Sequence, residues 1–103
     1  MDLKEIREKI NTIDEKLVKL FVKRMDLSKE VAEYKSEHKL PILNKARERE
    51  ILSRVCDASG EELEIYAKML FTTLFELSRS YQSTLIQNSS PLKDAITRGI
   101  EEA

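Results

Sequence analysis

Tryptophan is absent from this 103-residue chain, and glycine, proline, cysteine and histidine are scarce, at two, two, one and one. Each shortage excludes something. So few glycines and prolines do not suit a fold of many short strands, which needs a turn about every 8–12 residues. The single cysteine, Cys56, cannot form an internal disulfide and suits a reducing compartment. With no histidine arranged beside it, buried filler accounts for it better than a nucleophile. The one histidine, His38, falls in a loop next to Pro41, so no metal-ligand cluster is expected. A net charge of -1, from 18 basic and 19 acidic residues, provides no field of one sign for nucleic acid or an anionic membrane. No apolar run approaches membrane-spanning length, and the opening Met1-Asp2-Leu3-Lys4-Glu5 lacks the apolar core of a secretion signal. A cytoplasmic protein is expected. There is no Gly-rich phosphate loop, no Ser-His-acid set, no repeat and no low-complexity run.

What is present is a charged chain, 36% Asp, Glu, Lys and Arg, with helical spacing throughout. From Leu3 through Ile6, Ile10, Ile13, Leu17, Leu20, Leu27 and Val31 to Tyr34, apolar residues recur at steps of three and four, the seam of a long helix. Asp2 is placed to cap its start, and Pro41 prevents continuation beyond about Glu37. Such a helix is about 50 Å long at 1.5 Å per residue, more than a 100-residue globule can cover alone. Sharing the seam with a second copy is the economical solution. Residues 38–43 read as a connection. Asn44 is a good N-cap for a second helix, about Lys45 to Asp57, with Ile51, Leu52 and Val55 inward. Ser59 followed by Glu62 matches a capping box and predicts a third helix from about Glu61 to Ile86. Residues 1–87 therefore form one helical domain, and 88–103 read as a polar tail or the remnant of a linker.

The chemistry lies where polar side chains interrupt apolar faces. The seam position after Leu20 is Arg24, and a guanidinium among leucines is costly unless an anion meets it. Taken alone it could snorkel or pair with a glutamate. Arg24, Ser28, Val31 and Lys35 share one stripe, spaced four, three and four. Lys35 alone could be a solvated flank of the seam. On the second helix Glu48 borders the apolar side, and Arg47 is open either to the site or to a surface pair with Glu48 or Glu50. On the third, Ser78 and Gln82 interrupt the face of Phe71, Phe75 and Leu85, where they could equally find their hydrogen-bond partners within the protein. If the three faces converge, they enclose a water-poor pocket of fixed cations, neutral donors and one carboxylate. Its natural occupant is a small dicarboxylate bearing a hydroxyl. Arg7 lies on the rim of the same seam about 25 Å from Arg24, so if it takes part it must serve another copy of the site, as in a two-fold dimer with antiparallel first helices. With neither nucleophile nor titrating base, the pocket suits binding, or a reaction that needs only positioning and electrostatics.

These residues resemble a known family. The run Ile6-Arg7-Glu8-Lys9-Ile10, then Ile13-Asp14 and Leu17, Lys23-Arg24, Lys35, Pro41-Ile42, Arg47-Glu48, Ser78 and Gln82 is similar to the all-helical chorismate mutases over about residues 3–86. The resemblance implies a three-helix protomer whose long first helices pair in an intertwined homodimeric bundle with two equivalent sites and no cofactor. Chorismate would be the substrate and prephenate the product, on the way to phenylalanine and tyrosine. By analogy, Lys35 and Gln82 address the ether oxygen, Arg24, Arg47 and the partner copy's Arg7 bind carboxylates, with Ser78 assisting, and Glu48 accepts from the ring hydroxyl. Asn44 stands where many relatives carry an aspartate, which leaves a backbone contact to that position but not a carboxylate's charge.

Two other readings use the same features. A lyase on this scaffold would eliminate pyruvate from isochorismate, although Glu48, suited to holding a ring hydroxyl, favours the mutase. A non-catalytic helical dimer, regulatory or structural, would not need Lys35 and Gln82 together on inward faces.

Overall fold

The computed structural model describes residues 2–87 and is all-helical over that span, with three helices and no strand among the described residues. The tail expected over 88–103 lies outside them. Helix α1 (Leu3–Glu37) begins as its sequence requires: Asp2 adopts an extended conformation and its carboxylate accepts from Glu5 N at 2.9 Å, a cap worth about 1 kcal/mol. Its end is a tight reversal. Lys39 takes a left-handed φ of 54°, Lys39 N donates to Ser36 O and Leu40 N donates to Lys35 O at 2.8 Å. This is the paired closure that helices usually make with glycine. The left-handed backbone folds the chain back along the helix end, so that the Ile42 carbonyl lies over Lys35.

Helix α2 (Lys45–Ser59) is capped by Asn44, whose Oδ1 accepts from Arg47 N at 3.1 Å. It runs two residues past its expected end. Ser59 explains the difference: its hydroxyl donates back to Cys56 O at 3.2 Å, inside α2, instead of capping the helix that follows. Gly60, at φ 83° and ψ 162°, then turns the chain through a region that only glycine enters readily. Residues 61–63 form turns, and α3 spans Glu64–Gln87, three residues later than the Ser59–Glu62 pattern predicts.

Helix α3 is the hub, packing against both α1 and α2. Little is enclosed. Among the described residues, Ala32 and Phe75 are the buried apolar side chains, and Ser28, Ser78 and Gln82 the buried polar ones. The α1 seam is bare, with Ile13 at 55%, Leu17 at 54% and Leu20 at 61% exposure. The radius of gyration, 16.8 Å, exceeds the about 13 Å of a compact 100-residue domain. A second apolar groove of about 440 Å³ runs between α1 and α3, lined by Leu17, Leu20, Phe21, Leu70, Phe71 and Leu74. No helix among the described residues is long and apolar enough to cross a membrane.

Candidate active site

The polar interruptions of the three helices meet in one cleft of about 280 Å³, close to the lower end of the roughly 300–1,000 Å³ typical of ligand sites. Helix α1 supplies Arg24, Ser28 and Lys35, the connection and α2 supply Asn44, Arg47 and Glu48, and α3 supplies Ser78 and Gln82. The four-three-four spacing on α1 and the matching register on α3 set these side chains facing one another where the two helices pack.

Arg24 is not snorkelling freely. Its Nη1 donates to Ser78 Oγ at 2.8 Å, and its guanidinium carbon lies 5.9 Å from the centre of the Phe75 ring, a cation–π contact of about 0.5–1 kcal/mol. Ser28 Oγ donates to the same Ser78 oxygen at 3.3 Å. Having accepted twice, Ser78 keeps its own proton for an oxygen outside this chain of contacts. The guanidinium, with five N–H donors, retains capacity for a carboxylate. Among the described residues, one buried side-chain polar atom has no partner: Gln82 Oε1. Leaving it so costs about 1–3 kcal/mol, and the amide borders the cleft.

Lys35 Nζ donates to Ile42 O at 2.5 Å, the carbonyl brought over it by the left-handed turn at Lys39. Burial lowers the affinity of this ammonium for its proton below the ordinary lysine range, and nearby Glu48 partly restores it. An ammonium with depleted hydration is primed to attract an anion.

Three placements differ from the expectation or extend it. Arg47 lines the cleft, but its Nη1 rests on Glu50 at 3.1 Å, with both side chains more than half exposed. The surface pairing left open by the sequence is the one observed here, and such a pair is worth a few tenths of a kcal/mol, so it opposes movement only weakly. Asn44 reaches the cleft while its side-chain oxygen is committed to the helix cap, a local task in which the missing charge is immaterial. Arg7 is exposed and does not line the cleft of its own chain.

Arg79 was not anticipated. It forms an ion pair with Glu48 that joins α3 to α2 at the cleft wall. Its position carried a signal: Phe75, Arg79 and Gln82 are spaced four and three, so Arg79 shares their face. Cys56 is half-buried at the other end of α2, its thiol pushed up by burial and then by Glu64, which disfavours the thiolate a nucleophile needs.

The arrangement has the charge and size to take a small dianion, with fixed donors along it. Its lining contains no cysteine or histidine, and its one carboxylate, Glu48, is paired with Arg79. Residues 6–83 match the family described as chorismate mutase type II. The chain is 34% identical over 90 residues to a chorismate mutase of Methanocaldococcus jannaschii, covering 84% of this chain and 90% of that one. It is also 43% identical over 60 residues to a bifunctional chorismate mutase/prephenate dehydratase of Aquifex aeolicus, covering 58% of this chain and 17% of the larger protein. A T-protein of Haemophilus influenzae is 45% identical over 49 residues, 48% of this chain and 12% of the relative. No solved structure matches.

Proposed function

The chain belongs to the chorismate mutase type II family, and from that premise we propose how its cleft turns chorismate into prephenate. It is an isomerase. The reaction is an internal rearrangement in which a C–O bond breaks while a C–C bond forms, with no proton transferred. A catalyst must select the folded conformer and stabilise negative charge growing on the ether oxygen. A millionfold acceleration corresponds to about 8 kcal/mol, within the combined reach of positioning and preorganised charge.

Arg24, with Arg47 released from its surface pair, clamps the substrate carboxylates, and Ser78 adds the proton that its two contacts leave available. Lys35 and the Gln82 amide stabilise the ether oxygen. Glu48 accepts from the ring hydroxyl. The observation carrying this reading is that Lys35, a partly desolvated ammonium, and Gln82, a buried amide with N–H donors, line the same cleft as Arg24.

The working unit is a homodimer. An exposed seam of isoleucine and leucine along α1, and the apolar groove beside it, are what a second copy would cover. Antiparallel pairing of the α1 helices would bring the partner copy's Arg7 to this cleft, about 25 Å from where its own chain could use it. We assign residues 1–87 to the catalytic domain, within which the family match falls. Unpaired Cys56 is consistent with the reducing cytoplasm.

Loss of chorismate absorbance in the ultraviolet with the purified protein, and identification of prephenate as product, tests the reading. Pyruvate released from isochorismate, with chorismate untouched, would replace it by the lyase. Neither reaction, and no heat on titration with a dianionic mimic of the transition state, would leave a non-catalytic dimer.

A further inference from the structure

Arg79 has no part in the assignments above, yet it lies one position from Ser78 and faces the same cleft. Its Nη1 donates to Glu48 Oε2, so a residue of α3 grips a carboxylate of α2. The pair is well shielded, with 31% and 25% side-chain exposure, against 53% and 60% for the Arg47–Glu50 pair on the outer face of α2. At that shielding the contact is held more tightly than a surface ion pair.

Two roles are open to a cation in this place. As a further clamp on a substrate carboxylate, Arg79 would have to leave Glu48, and an unpaired carboxylate would then face a dianion at close range, which is unfavourable. As a partner retained throughout, it neutralises Glu48 and fixes the direction of the second carboxylate oxygen. The second role needs no repulsive arrangement. We infer that Arg79 is a positioning residue that holds Glu48 ready to accept from the substrate's ring hydroxyl, and that it thereby sets the preference for a hydroxylated dianion over one lacking that group. The inference rests on the mutase reading and on the role given there to Glu48.

The test compares kcat/KM for chorismate and for an analogue lacking the ring hydroxyl, in the wild type, Arg79→Met and Arg79→Lys. Removing the guanidinium is expected to reduce the preference for chorismate about tenfold, the scale of one charge-assisted hydrogen bond. Both dianions meet the un-neutralised Glu48 and lose alike through that repulsion, whereas only chorismate also loses the held acceptor for its ring hydroxyl, so the ratio isolates the second loss. Arg79→Lys, which keeps a cation on Glu48, should recover a substantial part of the preference. Both substrates are measured on the same preparation, so the amount of folded protein cancels from the ratio. If Arg79→Met does not fold, Arg79→Gln serves instead with the same fall expected. Equal losses for the two substrates, or an unchanged ratio, overturn the inference while the mutase reading stands. A wild type inert toward both overturns the mutase reading and this inference with it.

Discussion

Arg24 and Ser78, fifty-four positions apart in sequence, are joined by a 2.8 Å hydrogen bond from guanidinium to hydroxyl. The same Ser78 oxygen accepts from Ser28, so one serine of α3 holds two residues of α1. Ser78→Ala removes both contacts together and frees the Arg24 head. It is expected to lower kcat/KM for chorismate about tenfold and stability by about 1 kcal/mol. Kinetics and denaturant unfolding on the same variant would measure the two. Full activity would show that Arg24 is set by other contacts.

Lys35 predicts a pH dependence with a definite sign. Burial lowers its proton affinity from the ordinary 10.5, with Glu48 opposing. Between the lowered value and 10.5 the unfolded chain binds more protons than the folded one, so folding stability rises with pH across that window. Activity runs the other way, because only the ammonium stabilises the ether oxygen. The alkaline limb of kcat/KM should therefore lie below 10.5, and that of kcat above it in turn, since a bound dianion favours the charged form. Lys35→Arg should remove the limb from the accessible range. An unaltered limb in Lys35→Arg would assign the titration to another group.

Gln82 is buried to 7% exposure. Placing a carboxyl there by Gln82→Glu raises its proton affinity, and only the protonated form can donate to an ether oxygen. Activity of this variant should be concentrated on the acid side and decline through neutrality, whereas the wild type keeps its amide at every pH. Parallel pH profiles for the two proteins would remove Gln82 from the ether oxygen.

Shared sites make a prediction that a self-contained site does not. Arg7→Ala and Lys35→Ala homodimers should each be nearly inactive. Refolded together in equal amounts, half the dimers are mixed and each has one complete site, so about a quarter of wild-type activity should return. Mixtures no more active than their components would locate Arg7 outside the site.

Much of this organisation is visible in the amino-acid order, and what is hidden has identifiable reasons. Asp2 and Asn44 cap their helices because short side chains before an apolar period act on the three residues that follow, a purely local matter. Arg24, Ser28 and Lys35 on one stripe, and Ser78 and Gln82 on another, follow from helical spacing, and the cleft needs only that the stripes meet. Three features depend on more. Ser59 had two local partners available, and its bond to Cys56 within α2 displaced the start of α3. The turn at Lys39 uses a left-handed backbone on a residue that gives no sign of it, so the meeting of Lys35 with Ile42 could not be read from the chain. The Arg79–Glu48 pair spans two helices, and in a segment rich in charge the sequence does not say which opposite charges meet.

Of the five side chains buried among the described residues, four (Ser28, Phe75, Ser78 and Gln82) line the cleft. Interior and workplace are thus nearly the same set of atoms. Ordinary proteins can vary their centres for robustness while the reacting groups stay fixed elsewhere, but here almost every such change would also redraw the site. Neutral drift, and any engineering toward heat resistance, must therefore act at the periphery: on helix ends, on connections such as the one at Lys39, and along the bare α1 seam.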